Sequence, residues 1–333
     1  MSDRDAAGEL TTARARERAM LQTALGPLIG AALGDPEVVE VMANPDGRIW
    51  LDRHGAGRAF TGQSLTAADA ERIIRLVASH IRSECHAGNP IVSAELPGSG
   101  ERFEGLLPPV APAPCFAIRK PARVLYRLAD YVRAQIMTPL QAAELAKAVQ
   151  GRRNIVVVGG TGSGKTTLLN ALLAEVADSG DRVVLLEDTR ELHCAAEDCV
   201  CLRTKPGVVS LAALVRSTLR LRPDRIIVGE VRDGAALDLL KAWNTGHPGG
   251  LATLHANSAR GGLYRLEQLI QEAVVSLPRQ LIAQAVDVVV FIRGRGAGRR
   301  VETIAEVQRL TADGDYELGS LVPLHVLHAR QET

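Results

Sequence analysis

The order of apolar and polar positions changes rhythm partway along this chain. In the first third, apolar residues come in short alternating or broken runs. Val38-Val39-Glu40-Val41-Met42 predicts a strand. Arg48-Ile49-Trp50-Leu51-Asp52 and Gly57-Arg58-Ala59-Phe60 flank the turn His54-Gly55-Ala56 and predict a hairpin. From Thr66 to Glu84 the spacing becomes helical: Ile73, Ile74, Val77, Ala78 and Ile81 fall on one face, and Thr66 can cap the start. Strands are expected over Arg102 to Leu107 and Cys115 to Arg119. The proline-rich stretch Pro108 to Pro114 between them suits neither a helix nor an inner strand. From Asn154 onward the chain alternates strand and helix. Ile155–Val158, Arg182–Leu186, Arg225–Gly229, Leu251–Leu254 and Val286–Ile292 read as the strands.

This pattern predicts an α/β fold in which a smaller α+β N-terminal domain precedes a mostly parallel sheet with helices on both faces. The expected division is a mobile or helical lead over 1–20, an α+β domain over 21–120 and a linker with a short helix over 121–138. A nucleotide-binding domain follows over 139–325, then a tail over 326–333. Pro139 is expected to open a helix. No internal repeat is evident.

Composition narrows the function classes. A net charge of +1 points to no nucleic-acid partner, and 3% aromatic residues leave few platforms for stacking bases. Five scattered cysteines argue against a disulfide framework and for a reducing cytoplasm. Met1 to Arg18 is polar and unlike a signal peptide, and no apolar run approaches the ~20 residues of a membrane-spanning helix. The expectation is a soluble cytoplasmic protein that reaches a membrane only through partners.

The candidate chemistry lies where strands end. Gly159, Gly160, Thr161, Gly162, Ser163, Gly164, Lys165 and Thr166 match the phosphate-loop pattern between a predicted strand and a predicted helix, with Thr167 following. Such a loop turns backbone N–H groups onto phosphates. Lys165 can reach the β- and γ-phosphates, and Thr166 can ligate Mg²⁺. A nucleoside triphosphate with Mg²⁺ is therefore the expected ligand. Hydrolysis needs a group that orients or activates water. Glu230 ends the apolar run Ile226-Ile227-Val228 and is the candidate, acting directly or through the metal's ligands. Glu187, Asp188 and Glu191 follow another strand; Glu187 is a candidate metal ligand or catalytic support. His255 ends a glycine-rich segment and short strand, suited to sensing the γ-phosphate or supporting Glu230. His247 stays closer to a structural role. Cys194, Cys199 and Cys201 lack paired zinc-ligand spacing, so no zinc is expected.

Together these four segments resemble the secretion ATPase superfamily, whose members carry a phosphate loop, an acidic box, a Walker B strand ending in glutamate and a histidine box in that order. Leu-Glu-Asp-Thr-Arg-Glu-Leu, Leu-Arg-Pro-Asp-Arg-Ile-Ile-Val-Gly-Glu-Val-Arg and Ala-Thr-Leu-His-Ala-Asn are most similar to its type IV secretion and conjugation branch. The resemblance covers about Leu25 to Leu310 and is looser at the N-terminal end. It implies a RecA-like ATPase domain, a hexameric ring and inner-membrane secretion or conjugation components as partners. It also implies a nucleotide site completed by arginines of the N-terminal domain. Arg119 in Phe116-Ala117-Ile118-Arg119 matches the family's arginine best, Arg102 is second, and Arg232 is a further possibility.

The expected function is a Mg²⁺-dependent ATPase motor of a type IV secretion or conjugative transfer machine. A pilus or type II secretion motor is the neighbouring alternative, a nucleotide-gated assembly scaffold another, and a DNA translocase a third, which the neutral charge disfavours.

Overall fold

The computed structural model describes residues 3–120, 126–205 and 207–322. Contacts divide it into two units, residues 1–123 and 124–333. The expected tail at 326–333, and residues 121–125 of the expected linker, lie outside the described residues.

The first unit opens with α1 (Asp3–Gly34), which departs from helical geometry at Gly26 (φ 71°), just before Pro27. The helix runs through residue 20 without a break. Its Leu21, Leu25 and Ile29 are buried in the same core as Ile73, Ile74 and Val77 of α2 (Ala67–His80). Two helices therefore cover this sheet, where the sequence pattern showed one. Thr66 caps α2 by accepting from the Asp69 amide at 3.1 Å. α2 stops earlier than its periodicity implied: Arg82 adopts φ 55°, and Ile81 lies beyond the helix, 41% exposed.

The strands of this unit are β1 (Val38–Ala43), β2 (Arg48–Arg53), β3 (Gly57–Ser64), β4 (Ile91–Glu95), β5 (Arg102–Leu106) and β6 (Cys115–Arg119). They form one sheet in the order β3-β2-β1-β6-β5-β4, with every described pairing antiparallel. The pattern did not reveal β4. It is an edge strand in which only Val92 is buried, so its apolar signal is weak.

The second unit begins with α3 (Leu128–Arg133) and α4 (Pro139–Gln150). Thr138 and Gln141 form a reciprocal capping box at α4, with Pro139 in the first turn. The remaining elements are β7 (Ile155–Gly159), α5 (Lys165–Ala174), β8 (Val183–Glu187), β9 (Cys199–Arg203), α6 (Leu211–Thr218), β10 (Arg225–Val228), α7 (Ala235–Asn244), β11 (Leu251–His255), α8 (Ala259–Gln271), α9 (Arg279–Ala285), β12 (Val288–Arg293), β13 (Arg300–Leu310) and β14 (Tyr316–Ser320). The sheet order is β14-β13-β12-β7-β11-β10-β8-β9. Pairings from β12 through to β9 are parallel; β13 and β14 add antiparallel strands at one edge. The last strand seen in the sequence begins at Val288, not Val286. Asp287 precedes it and accepts from the Asn154 amide at 2.7 Å, which accommodates an acid beside a buried strand.

The central strands are apolar on both sides because both faces are covered. Val156, Val158, Val184 and Leu186 pack into a core with Leu240 and Trp243 of α7 and Leu263 and Leu266 of α8. Their neighbours Ile155, Val157, Val183 and Leu185 pack on the other side with Leu168, Leu169 and Leu172 of α5 and Leu145 of α4.

Parallel pairing decides where the chemistry gathers. With His255 level with Gly159, and Val228 level with both Leu186 and Ala252, the carboxyl ends of β7, β8, β10 and β11 share one edge.

Candidate nucleotide site

The phosphate loop connects β7 to α5 at that edge. Gly162 (φ 75°) and Gly164 (φ 95°) occupy left-handed backbone conformations that a side chain would strain, and Gly164 is the N-cap of α5. Backbone N–H groups at this helix start have no carbonyl within the helix to pair with, which is the basis of anion binding at such ends. Lys165 is buried on the first turn; Thr166 and Thr167 are partly exposed. The Ser163 hydroxyl is fully buried without a hydrogen-bond partner among the described residues. A buried unpaired hydroxyl in a loop of amide donors fits a site whose remaining partner is a ligand.

Beside the loop, four side chains from three segments form a chain of contacts. The Lys165 ammonium lies 3.2 Å from the Gly160 carbonyl and 3.3 Å from both ring nitrogens of His255. His255 Nε2 is 3.0 Å from Glu230 Oε1, and the other Glu230 oxygen accepts from Arg232 at 2.7 Å. Arg232 also lies 3.6 Å from Asp188, which accepts from the Thr204 hydroxyl at 2.8 Å.

Protonation follows from these neighbours. Burial pushes the Glu230 carboxyl up, but Arg232, His255 and Lys165 outweigh it and hold the group below the usual glutamate value. Burial and the Lys165 charge hold His255 below the usual histidine value against the pull of Glu230. At neutral pH His255 is therefore a neutral imidazole. Because the ionised carboxylate only accepts, Nε2 carries the ring proton, and the Nδ1 lone pair is available to Lys165.

The backbone holds Glu230 in place. Thr253 of β11 donates its hydroxyl to the Gly229 carbonyl at 2.6 Å, and the Val231 amide donates to the Thr253 carbonyl at 3.0 Å. The turn after β10 is thus tied to the strand that carries His255.

Glu187 has different surroundings. It is 4% exposed, and its Oε1 accepts the backbone amides of Glu191 and Leu192 at 2.9 and 2.7 Å. Burial raises its carboxyl above the usual value, and the two amides offset part of that rise. Asn170 of α5 braces the same loop, donating to the Glu191 carbonyl at 3.0 Å and accepting from the His193 amide at 2.9 Å. The acidic turn is therefore built around Glu187. Glu187→Gln, which keeps an accepting oxygen and removes a buried charge, is expected to change unfolding free energy by less than about 1 kcal/mol. Glu187→Ala strands two amides and is expected to cost about 1–3 kcal/mol. Urea denaturation of both variants checks this; equal damage from Gln and Ala would show that the charge is what matters.

Of the other candidates, His247 Nδ1 lies 2.8 Å from the Pro223 carbonyl, a local contact away from the carboxyl edge. Arg102 and Arg119 belong to the first unit, where they are directly opposed on β5 and β6. Two like charges across one antiparallel pair repel unless acids or an anion accompany them. Glu95 faces Arg102 and Glu40 faces Arg119 from the adjoining strands.

Residues the motifs did not reveal complete the picture. Asn170 is one. Arg295 and Arg299, on the connection from β12 to β13, are two more: Arg295 Nε donates to the Thr161 carbonyl at 3.0 Å and Arg299 Nη2 to the Gly162 carbonyl at 3.4 Å. Their signal in the sequence was the arginine–glycine run Arg293 to Arg300, which has no regular period.

A family model described as Type II/IV secretion system protein matches residues 33–302. The chain belongs to that family. Within and around it, the chain is 52% identical over 302 residues to the probable conjugal transfer protein TrbB of Sinorhizobium fredii, covering 90% of this chain and 92% of that protein. It is 52% identical over 290 residues to the conjugal transfer protein TrbB of Rhizobium radiobacter, covering 86% and 89%. Among solved structures, the pilus retraction motor PilT with bound ADP superposes with a TM-score of 0.61 at 22% identity, covering 88% of this chain and 84% of that one. That likeness speaks for a shared α/β fold. The family match spans the phosphate loop, Glu187, Glu230, His255 and the β12–β13 connection, and it extends through the described sheet of the first unit. Among the described residues no helix is long and apolar enough to cross a membrane.

Proposed function

We propose that this member of the type II/IV secretion system protein family is a Mg²⁺-dependent ATPase that drives a conjugative transfer or type IV secretion machine, with a RecA-like second unit. The observation that carries the reading is the continuous contact from Lys165 through His255 and Glu230 to Arg232 at the edge where the phosphate loop sits. The names of the TrbB relatives support conjugative transfer as the process served.

In this reading Gly159 to Thr167 hold the phosphates, Lys165 neutralises the terminal ones and the Thr166 hydroxyl holds the metal. When bound, Mg²⁺ neutralises charge that develops on the transferring phosphoryl group. Glu230 is charged at neutral pH and a weak base, so it serves by orienting the attacking water more than by taking its proton. His255 reports the terminal phosphate to Glu230 because it touches both Glu230 and Lys165. Glu187 supports the site through the acidic turn; Arg119, with Arg102 beside it, is assigned to phosphate binding. The working form is a homohexameric ring attached peripherally to inner-membrane partners.

Phosphate release by the purified full chain, with and without Mg²⁺ and alongside nucleotide binding, tests the reading. Mg²⁺-dependent turnover of ATP is expected. Binding without turnover would instead favour a nucleotide-gated scaffold, and absence of binding would remove both.

A further inference from the structure

The phosphate loop has two flanks. β11 lies on one side of β7 and brings His255 to the loop; β12 lies on the other, also parallel, and its carboxyl end delivers the connection 294–299. Gly294 (φ 83°) makes this connection turn back sharply, since a Cβ there would collide with the Gly298 carbonyl. The turn lays two guanidinium groups along the loop, on the Thr161 and Gly162 carbonyls. The neighbouring arginines are committed elsewhere: Arg293 and Arg300 both pair with Glu302, at 3.2 and 3.9 Å. Among the described residues Arg295 and Arg299 have no acidic partner within salt-bridge distance, only loop carbonyls.

Unmade hydrogen bonds gather at the same place. Six buried side-chain nitrogen or oxygen atoms have no partner among the described residues. Three of them are Ser163 Oγ in the loop, Arg299 Nε beside it, and Tyr131 Oη on α3, close enough to Arg299 to feel its charge. A buried donor without an acceptor is costly, and such atoms persist where a ligand supplies the partner. A guanidinium has five N–H donors in a planar fork suited to phosphate oxygens, and a single carbonyl satisfies one of them.

We infer that Arg299, backed by Arg295, is a nucleotide-contacting residue that binds the diphosphate of a nucleoside di- or triphosphate from the flank of the loop opposite His255. This rests on the nucleotide-binding reading above and divides the labour within it. The His255 flank attends to the terminal phosphate and water. The Arg299 flank holds the inner phosphates, which remain after hydrolysis, so it governs ADP retention more than chemistry.

Calorimetric titration of the full chain with Mg-ADP and with AMP, together with steady-state ATP kinetics, tests this on Arg299→Ala, Arg299→Lys and Arg295→Ala. Arg299→Ala is expected to weaken ADP binding roughly tenfold or more and to raise KM for ATP in proportion, with kcat within about threefold. AMP, which lacks the diphosphate, should lose little. Arg299→Lys should recover part of the ADP affinity, as a point charge without the fork. Arg295→Ala should give a smaller loss in the same direction. ADP affinity within about twofold of wild type in Arg299→Ala, or in Arg299→Lys and Arg295→Ala together should Arg299→Ala not fold, would overturn the inference. So would a loss confined to kcat, which would make Arg299 a loop-positioning residue. Failure of the wild-type chain to bind any nucleotide would instead sink the reading on which the inference stands.

Discussion

Glu230→Gln is expected to lower kcat for ATP hydrolysis by roughly 10²-fold or more while leaving nucleotide affinity within about threefold. The amide keeps the size of the side chain, and its oxygen can still accept from Arg232 or from His255 Nε2. What it loses is the negative charge that orients water and stabilises a developing positive charge on it. The carboxylate also attracts Lys165, so its removal leaves the Lys165 ammonium with less competition for phosphate, and tighter ATP binding by the variant would fit the same account. Lys165→Ala should behave differently, losing both affinity and turnover, because the ammonium acts on the phosphates in ground and transition states alike. Single-turnover phosphate release paired with equilibrium nucleotide binding separates the two patterns. Rapid hydrolysis by Glu230→Gln would take Glu230 out of the chemistry.

The second large effect is on stability, at the opposite edge of the same sheet. Asp181→Ala is expected to destabilise the second unit by about 3–5 kcal/mol. Arg225 opens β10 and is only 1% exposed; its Nε donates to Asp181 at 2.6 Å and its Nη1 to the Val149 carbonyl at 2.9 Å. Asp181 is 4% exposed and also accepts from Arg152. Burial would raise its carboxyl, but Arg225, Ser179 and Arg152 outweigh that and hold it below the usual aspartate value. Deleting the acid leaves the Arg225 charge buried without a counter-ion, the costly case for such pairs. A depressed folded-state pKa means the pair's stabilisation is present above the ordinary aspartate range and is lost only as the pH falls through the lowered value. At neutral pH the expected loss corresponds to a fall in Tm of about 10 °C for a unit of this size. Calorimetric melting checks it, and a shift under about 2 °C would show that water or a rearranged partner satisfies Arg225. Because this pair lies at the amino ends of the strands, the folded fraction should retain its nucleotide affinity.

How much was legible beforehand depended on whether the signal was local. The phosphate loop is eight consecutive residues between an apolar run and a helical run, so its place needed no tertiary information. The five central strands stood out because burial on both faces makes them uninterrupted apolar runs. The strands β4, β9, β13 and β14 escaped notice because they are edge or near-edge strands with polar or half-exposed positions. β9 reads Cys-Val-Cys-Leu-Arg and has no buried residue, although every residue pairs with β8. α1 escaped notice because the start of the chain is rich in polar residues; Leu21, Leu25 and Ile29 are among its residues that join the core.

The phosphate loop, the α/β rhythm and the residue types available at each strand end depend on neighbours a few positions apart, so the order of residues is enough to set them. Which of them meet is set by the folded chain. Lys165 and His255 are 90 residues apart, and Thr161 and Arg295 are 134. They are brought together by parallel strand register, which aligns the carboxyl ends of distant strands at one edge. The same register separated two acids of similar appearance. Glu230 emerges among cations and stays charged, whereas Glu187 is buried and spent on the amides of its own turn. Burial and partner geometry set that difference, and neither is written in the order of residues around either glutamate.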